Sequence, residues 1–176
     1  MKAIAILFAA FLIMTSFVPL PQSTSEVGMI NWMTWEQAIE AQKITPRKIF
    51  VDVYTDWCGY CKKMDQTTFL NTDVIRALSD DFYAVKFDAE TKEKITFNGA
   101  DFIFKNEGRR PAHQLAHALL DGRLGYPSFV YLDEEFNKIM PSPGYKKPAQ
   151  LIRELEFINY ETYKEMSWED YVKRAE

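Results

Sequence analysis

The 176-residue chain is poor in residues that often announce a function: it carries 2 cysteines, 2 histidines, 7 glycines and 8 prolines. So few cysteines exclude a fold built on a disulfide framework, and the core must hold itself together. Two histidines do not complete the four-ligand set of a structural zinc site by themselves. Sparse glycine and proline exclude collagen-like and low-complexity chains. Positive charge is short too. Lysine and arginine number 21 against 25 aspartates and glutamates, a net charge of −4. Neutralising phosphates needs a basic surface, so nucleic acid is not expected as a partner.

Apolar material is plentiful, at 47% hydrophobic and 15% aromatic, which is enough for one well-buried core. Only one long apolar run occurs. "MKAIAILFAAFLIMTSFV" is a lysine followed by an uncharged stretch from Ala3 to Val18, closed by Pro19. It falls short of the roughly 20 residues that span a bilayer and fits the core of a secretory signal. The polar "PQSTSE" follows, with Ser23 and Ser25 as small residues for cleavage. Residues 1–25 are therefore expected to be a signal peptide and 26–176 a single domain. An uncleaved N-terminal anchor is the alternative.

Along the domain, Thr34 and Gln37 have capping-box spacing at the start of a first helix. "IFVDVYT" is the β-branched and aromatic run of a buried central strand. "CKKMDQTTFL" predicts a helix that ends or bends near Asn71, "DVIRALSDD" a second helical stretch, and "FYAVKFDAE" another strand. Asn98-Gly99 between aromatic-rich arms predicts a hairpin, since both turn positions favour positive φ. "PAHQLAHALLDGRLG" has helical spacing, and "YPSFVYLD" with "EEFNKIM" reads as two partnered strands. "PAQLIRELEFINY" is an amphipathic helix begun by Pro148, and Ser167 with Asp170 opens a last one. Alternating helices and strands imply an α/β fold, a mixed sheet covered on both faces.

Both cysteines lie in "DWCGYCKK", as Cys58 and Cys61. As a staple, so short a loop removes little unfolded-state entropy. As a metal site, it supplies two ligands, and the histidines form an H-x-x-x-H pair, His113 and His117, on a predicted helix. Gln114 stands where a metalloprotease would carry its glutamate, so that motif is absent and no metal is expected; a site combining both pairs stays open. As a reagent, the pair gains from position. Cys58 falls where a strand ends and a helix begins, so unpaired N–H groups and the helix dipole favour its thiolate. Cys61, a turn further on, would be shielded and slower to ionise, as a resolving thiol requires.

The match to a known family extends beyond CxxC. "VDVYTDWCGYCK" resembles the strand and active-site turn of the thioredoxin superfamily. "AVKF" resembles the strand with its buried lysine, "GYPS" its cis-proline loop, and "PGYKKPAQLIREL" its final strand-to-helix region. More narrowly, "TDWCGYCKKMDQTTF" with "VIRAL" and "FYAVKFDAE" is similar to exported thioredoxin-like proteins related to the C-terminal domain of the membrane disulfide reductase and to cytochrome c maturation proteins. The resemblance implies a thioredoxin-like fold, a central mixed β-sheet flanked by helices. A hairpin–helix insertion at about 92–124 would precede the cis-proline loop, and a helical extension would occupy 158–176.

The resemblance also implies roles. Cys58 would be the nucleophile and Cys61 the resolving thiol of a thiol-disulfide oxidoreductase. Asp52 would be the buried acid that exchanges protons with Cys61 beside Lys86. Trp57 would flank the thiolate and, with Gly59 and Tyr60, bind substrate. Pro127 would be cis, leaving the Tyr126 backbone to pair with an extended substrate chain. The redox pair itself would replace any cofactor. Protein disulfides or dithiols and a membrane electron donor would be the partners, in the periplasm. The chain departs from thioredoxin at Tyr60, where proline stands in that family, and in the insertion. Gly59-Tyr60 puts no formal positive charge between the cysteines, which leans toward a reductase or a mildly reducing isomerase. A non-catalytic thioredoxin-like binding module is the alternative.

Overall fold

The computed structural model describes residues 28–107 and 110–174, so the expected signal peptide lies outside the described residues. Helix α1 (Trp35–Ile44) opens on the anticipated capping box: Thr34 Oγ1 accepts the Gln37 N–H at 3.2 Å, and Gln37 Oε1 accepts the Thr34 N–H at 2.8 Å. Strand β1 (Lys48–Tyr54) follows and is buried up to its last residue. Helix α2 (Gly59–Gln66) then runs into a single 3-10 turn (Thr68–Leu70). The chain bends at Asn71, whose Oδ1 accepts the Asp73 and Val74 N–H groups and so starts α3 (Thr72–Asp81). Strand β2 (Phe82–Asp88) lies parallel to β1.

The insertion comes next. Strands β3 (Ile95–Phe97) and β4 (Ala100–Phe102) form the expected hairpin, with Asn98 at φ 50° and Gly99 at φ 75°. A second, very short pair, β5 (Phe104–Lys105) with β6 (Ala112–His113), was not anticipated. It shortens the following helix, α4 (Gln114–Leu119). His113 is therefore not within the helix, as the H-x-x-x-H reading had it, but caps it: its Nδ1 accepts the Leu115 N–H at 3.2 Å while Nε2 meets the Glu93 carbonyl at 3.0 Å. With both ring nitrogens engaged and the ring buried, His113 has a structural role, and burial holds its pKa below the ordinary value.

Strands β7 (Ser128–Leu132) and β8 (Lys138–Pro143) complete a four-stranded mixed sheet in the order β2-β1-β7-β8. Met33 adds one parallel bridge outside β2. Helix α5 (Pro148–Asn159) begins on proline, and α6 (Trp168–Arg174) begins at Ser167, whose Oγ accepts the Asp170 N–H at 3.1 Å.

Because strand side chains alternate, β1 feeds two cores. Ile49, Val51 and Val53 pack with α1, α4 and the β3–β4 hairpin on one face. Phe50 packs with Met64 of α2, Val74 and Leu78 of α3, and Leu151 and Leu155 of α5 on the other. Asp52 continues the Phe50 side, the face that α2 covers. The C-terminal extension is tied down twice. Phe157 receives Trp168 and Tyr171 at ring-centroid distances of 5.3 and 4.9 Å. Lys48, at the start of β1, reaches Glu134 at 3.1 Å and Glu161 at 3.3 Å.

Candidate functional site

Strand β1 ends at Tyr54, and the turn Thr55–Cys58 closes when the Cys58 N–H donates to the Thr55 carbonyl at 3.1 Å. Cys58 is the N-cap of α2. Its Sγ accepts the Cys61 N–H at 3.1 Å, and its carbonyl accepts the Lys62 N–H at 3.2 Å. A sulfur thus takes the place that a serine or aspartate oxygen has in an ordinary cap, in contact with one of the unpaired donors of the helix start. The Cα atoms of Cys58 and Cys61 are 5.3 Å apart, and the sulfurs are joined as a disulfide. The sequence leads one to expect an open Cys58 over a shielded Cys61. In the disulfide the two residues are almost equally buried, at 4% and 3% exposure. The asymmetry that remains is in hydrogen bonding.

Asp52 sits opposite Lys86 in the parallel register of β1 and β2. The Lys86 ammonium is 2.9 Å from Asp52 Oδ2. Among the described residues the other oxygen, Oδ1, is buried without a hydrogen-bond partner. Burial pushes the Asp52 carboxyl up to about 6, with Lys86 pulling the other way. Burial works against the Lys86 charge too, but Asp52 and Asp65 outweigh it and leave the ammonium above its ordinary value.

Around the turn, aromatic groups form a rim. Trp57 is exposed, donates its indole N–H to Glu90 Oε1 at 3.0 Å, and lies edge-on to Tyr126 at 5.9 Å. Tyr60, also exposed, approaches Tyr145 at 5.9 Å, and Gly59 opens the helix between the two rings. The Tyr126–Pro127 peptide is cis, as expected. Among the described residues, neither the N–H nor the carbonyl of Tyr126 bonds to another backbone group. Burial, reinforced by Glu90 and Asp88, pushes the Tyr126 phenol up to about 12. A cavity of about 380 Å3 beside Trp57 and Tyr126 takes Arg110 and Pro111 of the insertion into its wall.

Trp57, Cys58, Gly59, Tyr60 and Cys61 thus share one turn and helix start, Trp57 meets Tyr126 beside the cis Pro127, and Asp52 pairs with Lys86 across β1 and β2. The structure adds other residues. Asp65 touches Lys86 from α2; its signal was available, four residues after Cys61 and so on the same helix face. Glu90 and Tyr145 gave no such signal, since each reaches the site only through the loop that carries it.

The thioredoxin-like domain family matches residues 35–159, and the chain belongs to that family. Its CxxC motif is that of the thioredoxin-like oxidoreductases. Among curated proteins, the thiol:disulfide interchange protein DsbD of Ralstonia nicotianae is 36% identical over 66 residues, 38% of this chain and 10% of that protein. DsbD of Colwellia psychrerythraea is 25% identical over 117 residues, 65% of this chain and 16% of its own length. Human spermatogenesis-associated protein 20 is 30% identical over 67 residues, covering 38% of this chain and 8% of that protein. The matched stretches are therefore small parts of much longer relatives. Among solved structures, a DsbH oxidoreductase superposes with a TM-score of 0.53 at 17% identity, covering 78% of this chain and 90% of that one. A thioredoxin from Thermus thermophilus gives 0.55 at 18%, covering 74% and 88%. These likenesses establish the thioredoxin-like fold.

Proposed function

We propose that the chain is an exported thiol-disulfide oxidoreductase that reduces or isomerises protein disulfides, with Cys58 as nucleophile and Cys61 as resolving thiol. The observation that carries this reading is the Cys58 sulfur as N-cap of α2, accepting the Cys61 N–H, with Asp52 buried in the strand that leads into the turn. Donation from an N–H favours the thiolate over the thiol, and only the thiolate attacks.

In the reducing direction, the Cys58 thiolate attacks one sulfur of a substrate disulfide and releases the other as a thiolate. A mixed disulfide joins Cys58 to the substrate. Asp52 then takes the Cys61 proton, for which its unpartnered Oδ1 is available, and the Cys61 thiolate attacks Cys58 Sγ. The substrate leaves as a dithiol with two electrons gained, and the chain is left with the Cys58–Cys61 disulfide. A carboxyl near pH 6 suits that proton transfer, because it can hold or surrender a proton close to neutrality. In this reading the Tyr126 backbone groups, without a backbone partner among the described residues, hold an extended substrate segment as an added strand, with Trp57, Gly59 and Tyr60 as its contact surface.

Residues 1–25 act as the export signal in this reading, and a dithiol donor at the membrane returns the pair to the reduced state. No bound metal or cofactor is needed. Insulin reduction tests the core of the proposal: the wild-type chain precipitates insulin with dithiothreitol as donor, and Cys58→Ser does not. Wild-type inactivity with intact partner binding in Cys58→Ser would favour a binding module instead.

A further inference from the structure

The Lys86 ammonium is shared between two carboxylates on different elements. Asp52 Oδ2 holds it from β1 at 2.9 Å, and Asp65 Oδ1 holds it from α2. The three side chains form a line from the core to the surface, with exposures of 1% for Asp52, 21% for Lys86 and 44% for Asp65. Trp32, Phe69 and Tyr54 wall the ammonium at 4.8, 5.1 and 5.3 Å from their ring centres, so it lies in a confined slot between the acids.

We propose that Asp65 is a positioning residue that sets the proton affinity of Asp52 by drawing part of the Lys86 charge toward the surface. The inference rests on the proton-transfer role given to Asp52 above. One ammonium cannot fully compensate two carboxylates. With Asp65 ionised, Asp52 receives only a share of the cation and also the repulsion of a second anion, and both effects keep it protonated to higher pH. Tyr54 lies two residues on along the same face of β1 and β7 contributes the apolar Phe129 opposite Asp52, while both cysteines are held as a disulfide and do not titrate. Asp65 therefore links the surface end of the active-site helix to the acid beneath it. The link runs along α2 from Cys61 to Asp65, four residues on, and back inward through Lys86.

The test is a carboxyl-carbon NMR titration of Asp52 in the oxidised protein, beside the pH profile of mixed-disulfide resolution. In Asp65→Asn, both midpoints are expected to fall together by about half a pH unit or more, since the cation is left to Asp52 alone. Asp65→Glu should restore them. In a Lys86→Met background, the effect of Asp65→Asn should shrink. An Asp52 midpoint unmoved in Asp65→Asn, or moved equally with and without Lys86, overturns the proposal. A resolution profile unchanged in Asp52→Asn would instead overturn the role given to Asp52, so the two failures are separable.

Discussion

Lys86 and Asp52 face each other across parallel strands, and the ion pair they form at 2.9 Å does not overcome the burial of the acid. Asp52 is raised to about 6 from an ordinary 3.8, so between about pH 4 and 6 the folded chain keeps a proton that the unfolded chain has lost. Stability contributed by this group is present below that window and falls as pH rises through it. Replacing Asp52 with Asn removes the penalty. Urea unfolding of the oxidised protein should show a gain of about 2–3 kcal/mol at pH 7.5 relative to the difference at pH 4. A difference that does not change with pH contradicts the assignment.

Trp57 is held by Glu90 and Tyr126 but leaves most of its ring in solvent beside the disulfide. Truncation to alanine removes contact surface, not chemistry. The KM for a protein disulfide is expected to rise about five- to tenfold, the usual loss for an aromatic contact. Exchange with oxidised glutathione should be nearly unaffected. Stopped-flow kinetics with both substrates decide the matter, and an equal loss on both would place Trp57 in the chemical step.

Glu154 of α5 is buried and accepts from Tyr131 Oη at 3.0 Å and Ser142 Oγ at 2.8 Å, with Lys146 at 3.5 Å. Burial pushes its carboxyl up, and the three partners pull it down. Alanine there leaves the Tyr131 and Ser142 hydroxyls without their acceptor. A loss of about 2–4 kcal/mol is expected in chemical denaturation, with the CxxC chemistry intact. A loss under about 0.5 kcal/mol would mean the network is dispensable.

Gly99 occupies φ 75° in the β3–β4 turn with open space where a Cβ would go, so any cost of alanine there is conformational. Gly99→Ala should destabilise the hairpin by about 1 kcal/mol, read as faster amide exchange at Ile95 and Phe102. Unchanged protection would contradict the turn assignment.

Much of this architecture was legible because short-range chemistry agreed with the tertiary fold. The Thr34–Gln37 box, Asn98-Gly99, Pro148 and Ser167 each mark an element boundary that the structure keeps. The β5–β6 pair was not legible, since strands of two residues carry no periodicity, and it displaced His113 from the helix to its cap. Similarly, the near-equal burial of Cys58 and Cys61 in the disulfide was not legible from their order in the sequence. The clamp of Lys48 on Glu134 and Glu161 joins residues 86 and 113 apart, and no local pattern records it.

The most direct measurement is thiolate titration of the reduced protein by absorbance at 240 nm, with mass mapping of limiting iodoacetamide. The helix cap predicts a Cys58 pKa at least about one unit below the free-cysteine value of about 8.5, and alkylation of Cys58 well before Cys61. Two thiols that titrate together near about 8.5 and label at equal rates would contradict it.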